Sequence, residues 1–379
     1  MAPLRVGLIG LGQVSGKILD AFDLVEGVEL AGAADIRTSA RDAFVRRHGK
    51  PAYESAEALC ASPNVDAVWI ASPNFVHRDH VIIAARAGKH IICEKPMAVS
   101  LDECDEMIAA AARANVQLLM VSKIQERPVR EIRRIVDSGR LGNVFQISTT
   151  VFTDWLQRPR TEDELRSDLG GGMLFRQAPH AVDIQRYIVG RQVKSVRAVA
   201  GQRDPNFATI GHFSALLAFD GGGVGTINVN GYGYFDGAEL TFGIGESGQR
   251  RSLEVTRKVR PRRSGPVPVD SKYAKQEGPA RNGAAEEPYS QPFYGLTLIS
   301  GEKGLIRQSE NGLLIYDRDG CEEITLPVDG RATTELVELR DALQSGHRAA
   351  PDGAWGRDTL AVATAMYRSS QEDREIRLT

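Results

Sequence analysis

Apolar and polar positions alternate in blocks along the first third of the chain, and the blocks predict strand and helix in regular succession. Val6, Leu8, Ile9 and Leu11 stand among glycines, and Lys17-Ile18-Leu19 reads on as a helix. A second apolar run, Val28 to Ala34, predicts the next strand, followed by a helix from Thr38 to His48 with Thr38 or Ser39 as its cap. Tyr53 lies in a short extended piece and Ser55 to Cys60 in a short helix. Val65 to Ala71 is continuously apolar, as central parallel strands are. Ser72-Pro73-Asn74 then turns and caps a helix from Phe75 to Ala87, which Gly88 closes. His90 to Cys93 (strand), Leu101 to Ala114 (helix) and Val116 to Val121 (strand) complete the series. This alternation predicts an α/β doubly wound parallel sheet over residues 1–125.

Near Arg127-Pro128 the rhythm changes. After a helix from Val129 to Asp137 come extended stretches at Val144–Phe152, Val193–Gly201, Phe213–Phe219 and Val224–Val229, several with a period of two. Asp220-Gly221-Gly222 is a hairpin turn, and one helix around Met173 to Val189 interrupts the strands. Residues 126–379 therefore predict an α+β domain with a large, mostly antiparallel open sheet. Such a sheet needs a cover, and a second subunit is the usual one, giving a homodimer or homotetramer. Arg260 to Pro292, rich in proline and polar residues, predicts a long loop. Helices at Thr334–Ser345 and Trp355–Gln371 close the chain.

Composition narrows the function. The chain has 379 residues, 42% apolar and 25% charged, with a net charge of −2. Basic residues are interspersed with acids, so no nucleic-acid footprint is expected; the basic run Arg257 to Arg263 sits beside prolines as a solvated loop. No apolar run approaches the ~20 residues of a membrane span, and the immediate first strand is not a signal peptide. Cys60, Cys93, Cys104 and Cys321 show neither C-x-x-C nor zinc spacing. Reduced thiols, no metal and a cytoplasmic location are the expectation.

The candidate chemistry lies at strand ends. Val6 to Gly16 has the spacing of the dinucleotide fingerprint G-x-G-x-x-G, except that Ser15 takes the third glycine position and Gly16 follows. Gly10 and Gly12 let the backbone approach a pyrophosphate, and Gln13 and Val14 sit beside it. Asp35, ending the second strand, is placed to accept from a ribose 2′-hydroxyl and to repel the phosphate of NADP. Arg37, two residues on, could receive such a phosphate, so NAD is favoured and NADP stays possible. Ser72, Pro73, Asn74 and His77 lie on the same edge, His77 facing the cofactor or pairing with backbone. Glu94-Lys95-Pro96 also lies there, where a partly desolvated lysine can serve as acid or base. In the second half, Gly170-Gly171-Gly172 precedes a helix on which Arg176 and His180 share one face, as do Asp183 and Tyr187. Pro179 kinks that helix or marks its start.

These residues, in this order, resemble the Gfo/Idh/MocA oxidoreductase family over most of the chain. Within it, Trp155-Leu156-Gln157-Arg158-Pro159-Arg160, Gln177-Ala178-Pro179-His180, Val182-Asp183-Ile184, Ser214-Ala215-Leu216-Leu217 and Gly231-Tyr232-Gly233-Tyr234-Phe235-Asp236 are similar to the phthalate 4,5-cis-dihydrodiol dehydrogenase branch. The resemblance implies a Rossmann domain followed by an α+β domain with the active site between them. It makes Lys95 the hydrogen-bond donor to the reacting oxygen and His180 the proton acceptor. Sugar and inositol members have an aspartate four residues before the histidine; this chain has Arg176. A guanidinium there would bind a carboxylate bidentately and favour a neutral base nearby. The expected substrate contacts are Arg176, Gln177, Asp183, Trp155, Arg158 and Arg127, with Arg160 a further anchor. The reading is an NAD-dependent dehydrogenase of a cyclic alcohol, best a carboxylated aromatic cis-dihydrodiol giving a catechol. Alternatives are a sugar, inositol or uronate dehydrogenase, or a non-catalytic NAD-binding redox sensor.

Overall fold

The structure, a computed structural model, describes residues 2–257, 265–269, 272, 290–328 and 333–378. The loop expected at Arg260–Pro292 lies largely outside the described residues.

Six parallel strands form the first sheet: β1 (Leu4–Ile9), β2 (Val28–Ala34), β3 (Ala52–Tyr53), β4 (Ala67–Ile70), β5 (His90–Cys93) and β6 (Leu118–Met120), in the order β3-β2-β1-β4-β5-β6. Helices α1 (Ser15–Ala21), α2 (Thr38–His48), α3 (Ala56–Cys60), α4 (His77–Arg86) and α5 (Leu101–Ala114) alternate with them. Every residue of β4 is buried, which is why its sequence is continuously apolar. Ser55 caps α3 by accepting from the Ala58 amide, and Ser100 caps α5 by accepting from the Glu103 amide, each at 3.2 Å. Two details depart from the sequence reading. Neither Thr38 nor Ser39 caps α2, because its N-cap position falls on Arg37, whose side chain makes no cap bond. The helix after β4 starts at His77 rather than Phe75, because Asn74–Val76 turn first as a single 3₁₀ segment.

β1 and β4 are neighbours, and the chain runs outward from them on both sides. This is the switch point at which open α/β sheets bind ligands. Gly10 closes β1 there with φ +98°. A Cβ on it would lie 2.9 Å from the main-chain atoms of Ala71 and Ser72, so the glycine is required both by conformation and by space.

The second sheet has nine strands: β7 (Val144–Phe152), β8 (Val193–Gly201), β9 (His212–Phe219), β10 (Val224–Asn230), β11 (Leu296–Gly301), β12 (Gly304–Gln308), β13 (Gly312–Asp317), β14 (Gly320–Thr325) and β15 (Ile376–Arg377). Their order is β14-β13-β12-β11-β7-β10-β9-β8-β15, antiparallel throughout except for β7 beside β10. The sequence reading stopped short of β11 to β14. Helices α6 (Arg127–Asp137), α7 (Glu162–Leu165) and α8 (Gly172–Val189) precede β8, and helix Gly353–Glu372 packs on α8 and β8. One face of the sheet buries Ile147, Phe213, Leu217, Ile227, Ile299 and Ile315. The opposite face carries Leu216 and Tyr316, both exposed, with Asn228 between polar neighbours.

Helix Thr334–Ser345 returns to the first sheet, where Leu336, Leu339 and Ala342 join the core of Val6, Leu8, Ile18 and Trp69. Among the described residues no helix is long and apolar enough to cross a membrane.

Candidate active site

The carboxyl edge of the first sheet gathers the expected cofactor residues. The Asp35 carboxylate accepts from the amides of Leu11 and Arg37, each at 2.8 Å, and the Arg37 side chain folds back onto it while donating to the Leu11 oxygen at 2.8 Å. Asp35 thus fixes the glycine turn that approaches the ligand. Ser15, buried at the third glycine position, donates to the Gly12 oxygen at 2.5 Å and so tightens the same turn. Val14 is exposed at its rim. The glycine cradle and the acid at the end of β2 fit a dinucleotide with a free ribose 2′-hydroxyl.

The next two strand ends are tied together. His77, expected either to face the cofactor or to pair with backbone, is fully buried and does the latter, with its ring nitrogens 3.1 Å from the Pro96 oxygen and 3.0 Å from the Ser72 oxygen. A neutral ring donates to one of these at a time, and burial pushes its pKa down to about 4. His77 therefore braces Glu94-Lys95-Pro96 against Ser72. Ser72 Oγ also meets His80 Nδ1 at 2.9 Å. Asn74, likewise buried, donates to the Gly170 oxygen at 3.0 Å and accepts from Arg176 Nη1 at 3.3 Å.

That contact brings the glycine-rich start of α8 onto the first sheet's edge. Gly170, with φ +72°, faces that edge, and a Cβ on it would lie 3.2 Å from Asn74 Nδ2, while a Cβ on Gly171 would meet the Glu164 oxygen of α7 at 2.5 Å. Pro179 lies inside a continuous α8 and does not mark its start. Lys95 Nζ donates to the main-chain oxygen of Arg176 at 3.1 Å. Burial lowers the Lys95 pKa to about 8; Arg176 and Lys123 act in the same direction, against Glu246 and Glu94. His180 is buried, and its Nδ1 has no hydrogen-bond partner. Burial, with Lys95 and Lys123 nearby, holds it well below the usual imidazole range. The Tyr294 ring stands edge-on to it at 4.9 Å between centroids, and Tyr294 Oη donates to the Gln177 oxygen at 2.6 Å. Gln177 is thus engaged in placing this aromatic wall.

Arg176 is half-buried, its Nε has no partner, and among the described residues it pairs with no carboxylate. Asp168 pairs with Arg166 instead, at 2.5 Å.

The remaining expected substrate contacts, and Arg160 with them, are held by other groups or lie at the surface. Asp183 is buried and accepts from Ser122 at 2.6 Å, Trp355 at 2.9 Å and Thr359, which places it in the joint between α8 and helix Gly353–Glu372. Trp155 is buried beneath the Arg160 guanidinium, 4.2 Å above its ring. Arg160 in turn pairs with Glu164 at 3.1 Å, so it is a structural cation. Arg127 sits at the exposed start of α6. Arg158 pairs with Asp154 at 2.7 Å, but it does line a cavity of about 120 Å³ with Lys17, Glu246 and Tyr294. A larger cavity of about 530 Å³, at Phe152, Arg203, Tyr232, Tyr234 and Phe235, is lined by none of the expected site residues.

Sequence reasoning missed Tyr294, Lys123 and Glu246. The first two stand in stretches without a motif. Glu246 had a signal, a glycine-bounded tip (Gly243 to Gly248) that places an acid and a serine on a tight turn.

A doubly wound sheet with this cradle, an acid at the end of β2 and a desolvated lysine beside a neutral histidine defines a nicotinamide-dependent oxidoreductase. The chain belongs to the Gfo/Idh/MocA oxidoreductase family: residues 4–122 match its NAD-binding Rossmann fold and residues 129–248 its C-terminal domain. It is 30% identical, over 98% of its length and 96% of the relative's, to 1-carboxy-3-chloro-3,4-dihydroxycyclohexa-1,5-diene dehydrogenase of Comamonas testosteroni. A myo-inositol 2-dehydrogenase of Thermotoga maritima is 29% identical over 52% of this chain and 58% of its own. Among solved structures, a candidate dehydrogenase from Bordetella bronchiseptica RB50 superposes with a TM-score of 0.88 at 31% identity, covering 99% of this chain and 100% of that one.

Proposed function

We propose that this enzyme oxidises a carboxylated cyclic cis-diol, using NAD. The observation that carries the reading is Arg176, a half-buried guanidinium with an unpartnered Nε, no carboxylate partner among the described residues, and a main-chain oxygen bonded to Lys95. A planar cation in that state suits a substrate carboxylate. The relative from Comamonas testosteroni, named for a carboxylated dihydroxycyclohexadiene, supports the same class.

NAD, held by Gly10, Gly12 and Asp35, supplies the hydride acceptor when bound. The chain's own groups do the rest. Arg176 fixes the carboxylate and so turns one carbinol toward Lys95. Lys95 Nζ, neutral in a sizeable fraction near pH 8, takes the hydroxyl proton as the carbinol C–H pair departs. His180, kept neutral by burial, hydrogen-bonds the same oxygen, and the Tyr294 ring excludes water from its edge. Where the ring is a cyclohexadiene, as in a cis-dihydrodiol, the resulting hydroxy-ketone enolises to a catechol, and aromaticity draws the reaction forward. The exposed Leu216 and Tyr316 on the open sheet face support self-association there, and four free cysteines suit the cytoplasm.

The test is NADH formation with a carboxylated cis-dihydrodiol, an uncarboxylated one, inositol, glucose and a uronate, each with NAD and NADP. Turnover confined to the carboxylated diol with NAD is the expected result; preferred turnover of inositol or glucose overturns the reading.

A further inference from the structure

We infer that Glu246 is a positioning residue for the groups at the reacting oxygen, a counter-charge presented to His180 and to the proton acceptor Lys95 by the loop between β10 and β11. The inference rests on the dehydrogenase reading above. Glu246 Oε1 lies 3.9 Å from His180 Nε2, and among the described residues no other carboxylate is within ion-pair distance of that ring. The position is built rather than incidental. The Glu246 main-chain oxygen accepts from Lys123 Nζ at 3.2 Å, and Ser247 Oγ accepts from Lys17 Nζ of α1 at 2.6 Å, so the tip is pinned across the cleft to the first sheet's layer. The Gly245 amide donates to the Gln249 oxygen at 2.9 Å, and the Ser290 amide to the Gly248 oxygen at 2.8 Å. Gly248 has φ +80°, and a Cβ there would come within 2.4 Å of the Ser290 oxygen.

The charges around the tip give the carboxylate its work. Glu246 keeps 46% of its side-chain surface exposed, and Lys95, Lys123, Lys17 and Arg158 outweigh what desolvation it has, holding it below the usual carboxylate range. Lys123 is shared with Glu126 at 2.7 Å, while Glu94 and Arg176 also act on Lys95, with opposite sign. Burial moves Glu94 the opposite way, upward, so the two carboxylates acting on Lys95 differ in how readily they ionise. When Lys95 takes a proton, a cation forms among Lys123, Arg176 and Arg158. Glu246 offsets that charge as it develops, which is where an electrostatic group accelerates a reaction.

The variant is Glu246→Gln in the full chain with NAD bound, and the first readout needs no substrate. Titrating ¹³C-dimethylated Lys95 by NMR, with its resonance assigned through Lys95→Arg, should show its pKa falling by roughly one unit. The second readout, on the diol that wild type oxidises, should show kcat falling about tenfold or more, KM nearly unchanged and the acid limb moved to lower pH. Glu246→Asp should recover part of the loss. An unmoved Lys95 titration overturns the inference. Wild-type inactivity on every diol with a shifted titration would instead sink the diol reading and leave the role of Glu246 standing.

Discussion

The Lys95 ammonium and the main-chain oxygen of Arg176 lie 3.1 Å apart, and this bond joins the end of β5 to the early turns of α8. The lysine of one sheet is therefore placed by a helix that belongs to the other. Asn74, between Gly170 and Arg176, makes a second tie across the same seam. Whatever shifts α8 shifts the reacting groups.

In the proposed mechanism Lys95 sets the pH dependence of oxidation. Its folded pKa of about 8 lies below the ordinary lysine value, so the neutral amine gains population as pH rises through that point. The kcat/KM for the diol should climb about tenfold per unit below pH 8 and level off above it. Lys95→Met should cost roughly 10²–10⁴ in kcat while NADH, followed by fluorescence, still binds.

Asp35 holds the glycine loop through the Leu11 and Arg37 amides, and its proposed role toward the cofactor is to oppose a 2′-phosphate. Asp35→Asn removes a charged acceptor from the Leu11 and Arg37 amides. Loss of such bonds, about 1.5–3 kcal/mol, is worth roughly 10–100-fold in NAD affinity. The ratio of NAD to NADP KM values, measured in both forms, should move toward NADP.

Glu164 makes stability acid-sensitive. Burial would raise its pKa, but Arg160, Lys272 and Arg176 bring it down to about 2. A carboxylate depressed in the folded state adds stability above its unfolded pKa and loses it as pH falls through the folded one. Denaturant titrations should show Glu164→Gln less stable than wild type at pH 7 by roughly 2–3 kcal/mol, with the gap closing between about pH 4.5 and pH 2.

Asp183 is a stability residue. Its carboxylate takes hydrogen bonds from Ser122, Trp355 and Thr359. Asp183→Asn turns an amide donor toward one of those donors, and the loss should be about 2–4 kcal/mol in thermal or denaturant unfolding. With folded variant, KM for the carboxylated substrate should change little; a large rise would make Asp183 a substrate contact.

The first sheet was legible because each of its strands is a local apolar run and each helix carries local caps or glycines. Val28–Ala34 and His90–Cys93 fall where the pattern puts them. Strands β11 to β14 were not, since glycines at 301, 304, 312 and 320 and exposed polar residues dilute the alternation. In the site, Lys95 at a strand end and Arg176 and His180 on one helix face were candidates that the family resemblance gave roles, but their environments could not be read. Trp155 and Asp183 have side chains fit for a substrate, yet Arg160 covers one and three donors surround the other. Glu246 reaches His180 from 66 positions along the chain, through a loop register that local pattern does not encode.

The most direct test of the anion-binding account is the ratio of kcat/KM for a carboxylated cis-dihydrodiol to that for its uncarboxylated analogue, in wild type and in Arg176→Ala. The account predicts that the wild-type ratio collapses by roughly 10–100-fold in the variant, the worth of a charge-assisted bidentate pair, mainly through KM and with NADH binding intact. A ratio that survives the substitution would contradict it.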